Sequence, residues 1–401
     1  MHHRYVIIGG GIAAAAAARG IRAHDREGSV LLVSRENHLP YRRGPLAREA
    51  WQGGFDLERL SIQPPEFYTE NRIEVRLRRE IVEIDADHHV LWDERGDSLG
   101  FDHAVLATGS RPRRLRAVGS ERSGVRYFRD LEDFLDLEHR MGHLQHVTIV
   151  GGGGVALELT TALRTIGREV TLVLPDEYPL RRVLPRELGE TLLETLRRLD
   201  VEIVTGDTLV EIEEAGDVLH ARTASGNSLD TQLVIVDQGT EPQLELGEAA
   251  GLETDDGVVV DELGRASKPG LWAAGDVAEF PYLALGQLMR VEGEDHSEHH
   301  GFAVGANMAG ASTPYAHLPW RALAFGGLQL VAVGELDAQL DHQLAWLDPE
   351  REGVVYYLRD DVVRGVLMLN VADRLEWARA LIREARPMSS ADRAALLVPQ
   401  A

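Results

Sequence analysis

Two glycine-rich turns in this chain have the spacing that holds a dinucleotide phosphate. Each turn follows a β-branched apolar run, at residues 6–8 and 147–150, and precedes a helix rich in alanine or leucine. The first glycine of such a turn permits a sharp bend and the second lets the backbone approach a pyrophosphate. The small third residue allows the helix, whose N-terminus faces the phosphate, to pack closely on its strand. The positions concerned are Gly9, Gly11 and Ala14 in the first turn, and Gly151, Gly153 and Ala156 in the second.

A chain with two such turns is expected to bind two dinucleotides, and the pair this favours is a flavin and a nicotinamide held face to face. The chain contains no cysteine. Disulfide reductase and cysteine-dependent peroxidase activities are therefore excluded. A reduced flavin in this chain has to pass its electrons to an external acceptor.

Length and charge limit the class of protein further. At 401 residues the chain is too long for one hydrophobic core, which predicts two or three domains. Its net charge of −23 disfavours nucleic acid and anionic membranes as partners. Apolar stretches stay shorter than the ~18 residues of a membrane span, and a strand begins too early to leave room for a signal peptide. We therefore expect a cytoplasmic protein without a membrane span.

The pattern of strands and helices starts twice along the chain. The first unit reads as a strand, a helix, a strand, a small sheet at 72–84 and 90–92, and a buried parallel strand with its turn; the main elements are 4–9, 12–21, 29–34 and 101–109. The second unit repeats this order, and its predicted elements are 147–150, 155–166, 169–174, 188–199, 201–204 and 233–239. A tail of alternating strands then leads to one helix at 373–384.

This order predicts an α/β fold with two Rossmann-like dinucleotide-binding domains of the three-layer ββα type and an α+β C-terminal domain. We predict an FAD-binding domain formed by residues 1–118 and 241–310. A NAD(H)-binding domain at 119–240 interrupts it, and an α+β interface domain follows at 311–401.

Five further segments resemble one family. LATGSRP (106–112) and AAGDVAEF (273–280), placed after the first turn and late in the chain, resemble the two-dinucleotide flavoproteins of glutathione-reductase fold. LPYRRGPLAREAW (39–51) is similar to the flavin-contacting loop of their ferredoxin-reductase and apoptosis-inducing-factor branch. MRVEGEDHSEHHG (289–301) and PDEYPLRRVLP (175–185) favour the apoptosis-inducing-factor-like side. The resemblance covers nearly the whole chain.

The resemblance implies a set of flavin contacts. The first turn would receive the flavin pyrophosphate, with Arg43 on a flavin phosphate and Asp276 on the ribityl chain. Glu36 would hold the adenosine ribose, because Arg35 stands where the family usually has an acidic residue. The remaining residues implied are Thr108, Gly109, Arg113, Gly275 and Glu292.

The resemblance also implies a nicotinamide nucleotide site at the second turn, in the unit closed by Gly239. An acidic residue after the second strand would accept hydrogen bonds from the adenosine ribose, which favours NAD(H). Asp176 is the better match and Glu177 the other candidate. NADP(H) is not excluded, because Arg181 and Arg182 offer a cation to a 2′-phosphate.

Three residues are candidates for the reaction centre. The family has a glutamate at the position of Glu158, paired with a lysine where this chain has Arg48, so a fixed cation would stabilise reduced flavin. A purely structural ion pair is the alternative. Trp320 is expected either to stack near nicotinamide or to lie in the core. Gly44 and Gly293 replace larger family residues, which suggests a changed acceptor side.

The histidines of HSEHH, namely His296, His299 and His300, have helical spacing. We interpret them as a solvated or interface face of a helix and expect no metal site.

The leading hypothesis is an FAD-dependent NAD(P)H oxidoreductase that transfers hydride from NADH to FAD. Its acceptor would be a ferredoxin- or rubredoxin-type protein, a quinone or oxygen, although the negative charge disfavours an acidic ferredoxin. One alternative is an apoptosis-inducing-factor-like NADH sensor with slow turnover, whose reduced state drives homodimerisation or partner binding. Another is a flavoenzyme of a biosynthetic pathway that acts on a small molecule.

Overall fold

The computed structural model describes residues 1–53 and 55–396, and these form two compact units. Within the described residues, unit 1 comprises 1–42, 56–111 and 241–319, and unit 2 comprises 43–53, 55, 112–240 and 320–396. The three-domain division stays a prediction. Gly54 and residues 397–401, the last five of the predicted C-terminal domain, lie outside the described residues.

The strands in chain order are β1 (His2–Ile8), β2 (Val30–Val33), β3 (Ile73–Arg76), β4 (Ile81–Asp85), β5 (Val90–Asp93), β6 (Ser98–Leu106), β7 (Ser110–Pro112), β8 (Val125–Tyr127), β9 (His146–Val150), β10 (Glu169–Leu174), β11 (Glu202–Thr205), β12 (Leu209–Ala215), β13 (Val218–Thr223), β14 (Ser228–Thr231), β15 (Leu233–Val236), β16 (Thr240–Pro242), β17 (Val258–Val259), β18 (Leu271–Ala273), β19 (Ala278–Tyr282), β20 (Gln287–Arg290), β21 (Trp320–Phe325), β22 (Leu328–Gly334), β23 (Asp341–Asp348), β24 (Glu352–Arg359) and β25 (Val362–Leu369). The α-helices are α1 (Ile12–His24), α2 (Leu57–Leu60), α3 (Pro65–Glu70), α4 (Leu131–Met141), α5 (Gly154–Thr165), α6 (Arg186–Arg198), α7 (Glu245–Ala249), α8 (Glu294–Met308), α9 (Leu375–Glu384) and α10 (Ser390–Leu396). Short 3₁₀ helices lie at Gly44–Ala47, Glu49–Gln52 and Gly275–Val277.

Unit 1 is built on a seven-stranded sheet. Its order is β3-β2-β1-β6-β5-β4, and β18 pairs with β6. β1, β2, β3 and β18 are joined by parallel pairings through β1 and β6, whereas β4 and β5 extend the sheet antiparallel. Strands do lie at 72–84 and 90–92, but they belong to this seven-stranded sheet and not to the small sheet that was predicted. β3 pairs with β2 in the parallel part of the main sheet, and β5 joins β4 to β6 by antiparallel pairing.

The two long helices of unit 1 pack with almost no space between their backbones. α1 is a run of alanines that are nearly all buried, and it packs on α8. A Cβ at Gly301 would overlap the backbone of Ala13, and one at Gly305 would overlap the carbonyl oxygen of Ala17. Small residues on both helices are thus required for this close contact.

Unit 2 contains a five-stranded parallel sheet of order β11-β10-β9-β15-β8 and an antiparallel three-stranded sheet, β12-β13-β14. The core between them contains apolar residues from both sheets, including Val150, Ile212 and Val234. A five-stranded antiparallel sheet of order β21-β22-β25-β24-β23 follows, with α9 packed on β22 and β25. These sheets confirm the predicted α/β class.

Within the described ranges, no helix is long and apolar enough to cross a membrane.

We predict that Gly305→Ala destabilises the protein, because the new methyl group meets the Ala17 backbone instead of a movable side chain. Overpacking of this kind costs about 1–3 kcal/mol. The measurement is the free energy of unfolding in denaturant. Gly142→Ala is the matched control, because its Cβ would meet only ordinary contacts, the nearest at 3.6 Å from His139 O. An equal stability of both variants and the unsubstituted protein would contradict the close packing of α1 and α8.

Candidate functional site

The first glycine turn of unit 1 has the shape that a phosphate requires. Gly9 has a φ of +143°, and a Cβ there would overlap the carbonyl oxygen of Ala107. Its amide donates to the Val33 carbonyl oxygen at 2.9 Å, which fixes the bend at the end of β1. Among the described residues other than Gly11 and its two chain neighbours, no heavy atom lies within 4 Å of a Cβ placed on Gly11. The space beside Gly11 and the amides that begin α1 therefore fit a pyrophosphate, while Ala14 is buried against the sheet.

A carboxylate is held rigidly where the late GD dipeptide ends β18. Oδ1 of Asp276 accepts hydrogen bonds from the Gly293 amide at 3.3 Å and from Ser297 Oγ at 3.0 Å. Its Oδ2 accepts one from Ser110 Oγ at 3.3 Å. Three donors, one on β7 and two at the start of α8, orient this carboxylate, as a partner for ribityl hydroxyls has to be oriented.

Gly275, which precedes Asp276, is fixed by a histidine of α8. Gly275 has a φ of +74°, and its amide donates to Nδ1 of His300 at 3.3 Å. His300 is buried, and burial lowers the pKa of its imidazole to about 3, so it is neutral at working pH. His300 is thus a positioning residue for the GD turn, and this role was missed from sequence because the spacing of HSEHH gives no sign of the contact with Gly275.

The histidines of HSEHH do not form the solvated face that we expected. His296 and His300 are buried and lie beside Phe280 and Tyr315, with His296 Nδ1 3.1 Å from the Tyr315 hydroxyl. The solvated alternative was therefore wrong for these two, because loop residues around 315 and strand β19 cover the helix. The third residue, His299, is half exposed.

A different set of side chains brings possible ligand atoms together. Asp295, His299 and His317 place one such atom each within 4.8 Å of one another. Nε2 of His317 lies 2.6 Å from Asp295 Oδ2, and the two imidazoles stack with centroids 3.7 Å apart. Parallel stacked rings do not converge on one ion as tetrahedral zinc ligands do. The absence of a metal site stays a prediction.

The residues predicted at the adenosine ribose of the flavin lie at the end of β2. Glu36 accepts a hydrogen bond from the Tyr41 hydroxyl at 2.7 Å, and Nη1 of Arg35 donates to Gln243 Oε1 at 3.0 Å. Gln243 also accepts, through its carbonyl, from Thr108 Oγ1 at 3.4 Å. Arg35 and the Thr108 turn thus belong to one polar network through Gln243, and Glu36 is bonded to Tyr41 in the same unit.

The other flavin candidates are divided between the units. Gly109 has a φ of +68°, and Glu292 forms an ion pair with Arg290; both lie in unit 1. Arg43 and Arg113 belong to unit 2, where the Arg113 amide donates to the Gly239 carbonyl oxygen at 2.9 Å. Their predicted roles on the flavin stay predictions.

The second turn repeats the first inside unit 2. Gly151 has the same φ of +143°, and its amide donates to the Val173 carbonyl oxygen at 2.9 Å. Ala156 is buried, and its amide donates to Oδ2 of Asp237 at 2.8 Å. Asp237 follows β15 and was missed from sequence. A charged residue directly after a buried apolar strand was the signal that could have found it.

The acidic residues after β10 differ in their partners. Oδ1 of Asp176 lies 3.8 Å from Nη1 of Arg181, and both side chains are partly exposed. Glu177 pairs instead with Arg186 on α6. Asp176 thus lies at the end of β10 near the Arg181 guanidinium, whereas Glu177 forms an ion pair with the first residue of α6.

Arg48 and Glu158 are brought together in unit 2. Nη1 of Arg48 lies 3.4 Å from Oε1 of Glu158, whose side chain is only 10% exposed. The same oxygen accepts the Ala324 amide at 3.1 Å, so α5 and β21 are joined through this carboxylate. Trp320, at the start of β21, is half-buried opposite Val333 of β22. Their roles near nicotinamide stay predictions.

We predict that the protein loses stability on acidification because of His300. The unfolded state protonates this imidazole below pH 6.5, but the folded state does so only near pH 3. Its contribution is thus complete above pH 6.5 and declines as the pH falls. Between pH 7 and pH 5 this one group lowers the free energy of unfolding by about 2 kcal/mol.

His300→Asn retains an acceptor for the Gly275 amide but cannot titrate, so this part of the pH dependence should disappear. Denaturant unfolding at the two pH values measures it. His299→Asn, on the exposed side of α8, is the matched control and should keep the wild-type slope. If His300→Asn keeps that slope as well, His300 is not the neutral buried group described here.

Comparison with known proteins gives a consistent result. The model of a family described as pyridine nucleotide-disulphide oxidoreductase matches residues 3–300, and that of the C-terminal domain of apoptosis-inducing factor, mitochondrion-associated, matches 341–384. A rubredoxin-NAD(+) reductase of Pseudomonas putida is 33% identical over 334 residues, which cover 82% of this chain and 86% of the relative.

Two solved structures of reductases are also similar. The ferredoxin reductase for the CYP199A2 system from Rhodopseudomonas palustris has a TM-score of 0.91 and 29% identity, covering 96% of both chains. The covalent putidaredoxin reductase–putidaredoxin complex gives a TM-score of 0.90 and 26% identity, covering 98% of this chain and 95% of that one.

Proposed function

This chain belongs to the pyridine nucleotide-disulphide oxidoreductase family and is an FAD-dependent NAD(P)H oxidoreductase, and we propose that it passes electrons from NADH to a rubredoxin- or ferredoxin-type iron–sulfur protein. The observation that carries the proposal is the pair of glycine turns with the same backbone geometry in a chain without cysteine. The named acceptors of its relatives support it, because rubredoxin and putidaredoxin occur in their names.

The residues of unit 1 would hold FAD. The α1 amides beside Gly11 would bind the pyrophosphate, and the Asp276 carboxylate would accept hydrogen bonds from the ribityl chain. When bound, FAD would supply the ability to take up two electrons from NADH together and to release them one at a time. Family members with a redox disulfide relay these electrons through cysteines, and a chain with no cysteine has to deliver them to a separate molecule.

The residues of unit 2 would hold NADH. The α5 N-terminus would face the pyrophosphate, and Asp176 would accept hydrogen bonds from the adenosine ribose. An NADP(H) 2′-phosphate at the same place would be repelled by Asp176, while Arg181 at 3.8 Å from that carboxylate would reduce the repulsion. We therefore propose a preference for NADH that is not absolute.

The apoptosis-inducing-factor-like sensor remains the second candidate, because the C-terminal match covers β23 to α9. In that function the reduced flavin and its bound nucleotide persist, and dimerisation or partner binding follows. A long-wavelength charge-transfer absorbance separates this candidate from a reductase.

We predict that anaerobic NADH bleaches the flavin of the purified protein, and that added oxidised rubredoxin or ferredoxin restores the flavin absorbance rapidly. NADPH in a parallel titration should reduce the flavin less efficiently, because of the Asp176 carboxylate. Stopped-flow absorbance measures both steps.

Three outcomes would contradict parts of the proposal. If neither NADH nor NADPH reduces the flavin, the assignment as an oxidoreductase is refuted. Equal or better reduction by NADPH would refute the coenzyme preference. A charge-transfer band that persists in the presence of the iron–sulfur protein, with dimerisation in size-exclusion chromatography, would favour the sensor.

A further inference from the structure

The two glycine turns are geometric counterparts, so they can be compared position by position. Gly9 and Gly151 share a φ of +143°, and each donates its amide to the second strand of its sheet at 2.9 Å. Ala107 donates its amide to Ile8 at the end of β1 at 2.8 Å, and Asp237 donates its amide to Val150 at the end of β9 at 2.9 Å.

Asp237 in the second turn therefore occupies the position of Ala107 in the first. A Cβ on the first glycine of either turn would overlap the backbone of this residue, Ala107 for Gly9 and Asp237 for Gly151. The two backbones match, but the side chain is a methyl group in Ala107 and carries a carboxylate in Asp237. The first turn therefore shows the same backbone geometry without a carboxylate at this position.

The carboxylate lies in the space where a phosphate is expected. Oδ2 of Asp237 accepts the Ala156 amide at 2.8 Å, in the first turn of α5, and lies 3.4 Å from a Cβ placed on Gly153. At the counterpart, Gly11, no described residue beyond the two chain neighbours brings a heavy atom within 4 Å of such a Cβ.

We propose that the Asp237 carboxylate acts as an internal anion at the second glycine turn and weakens the binding of the dinucleotide phosphate. A helix N-terminus attracts anions through its unpaired amides and its dipole. Asp237 uses one of these amides and adds a negative charge within a few ångströms of the site. Like charges at this separation repel appreciably even in a solvated environment.

The inference rests on the proposed function, because it concerns the NADH site of the oxidoreductase. It assigns to Asp237 the control of how long the nucleotide stays bound. A weakly held pyrophosphate favours rapid release of NAD⁺ after the flavin is reduced, as a reductase requires. The same repulsion opposes the persistent reduced-flavin–nucleotide complex of the sensor.

Two variants separate charge from hydrogen bonding. Asp237→Asn retains an oxygen acceptor for the Ala156 amide and removes the charge, and Asp237→Ala removes both. Asp217→Asn, in the exposed turn between β12 and β13, is the matched control for the change in net charge. Isothermal titration calorimetry of the holoprotein with NAD⁺ and ADP gives Kd, adenosine is the ligand without phosphate, and NADH reduction of the flavin is followed in parallel.

We expect Asp237→Asn to lower the Kd of NAD⁺ and ADP by at least about fivefold, with adenosine unaffected and Asp217→Asn like the unsubstituted protein. Asp237→Ala should also tighten binding if the turn remains folded, which the thermal unfolding midpoint reports. An unchanged Kd in Asp237→Asn would overturn the inference while leaving the oxidoreductase intact.

Weaker binding in both variants would also overturn it, because Asp237 would then hold the nucleotide itself. If the unsubstituted protein and every variant fail to bind NAD⁺ and to be reduced by NADH, the proposed function fails instead. Tighter binding of adenosine to the same extent would show that the effect does not depend on phosphate charge.

Discussion

The close approach of two backbones at the glycine turn is the constraint on which the structure of each unit depends. At Gly9 and at Gly151 the first strand of a sheet bends so tightly that any side chain would overlap the residue at the end of a neighbouring strand. This contact fixes where the strand stops and where the next helix begins. The N-termini of α1 and α5 are aimed by that bend, and phosphate binding is a consequence of it.

In unit 1 a second close contact extends this constraint to the late part of the chain. α8 lies on the alanine face of α1 because Gly301 and Gly305 carry no side chain. The same helix provides Ser297, which donates to Asp276, and His300, which accepts from Gly275. The packing of two helices therefore sets the geometry of the GD turn, which directly follows β18.

Sequence patterns predicted the parts of the site that are local. The strand–turn–helix units around Gly9 and Gly151 carry their own signal, since apolar runs, glycine spacing and helix composition lie within twenty residues. The place of β3 depends on its pairing with β2, and the burial of His296 and His300 depends on Phe280 and Tyr315, which lie outside their helix. The local patterns of these segments were therefore misleading. Asp237 and Ala156 are 81 positions apart, and only the parallel pairing of β15 with β9 brings them together.

The most direct test of the account is the number and kind of dinucleotides that one chain binds, measured by native mass spectrometry before and after addition of NADH under anaerobic conditions. The two turns predict one FAD per chain as purified and one nicotinamide nucleotide more after the addition. A chain that carries no flavin after reconstitution, or that binds FAD at both turns, would contradict the division of the two sites between flavin and nicotinamide.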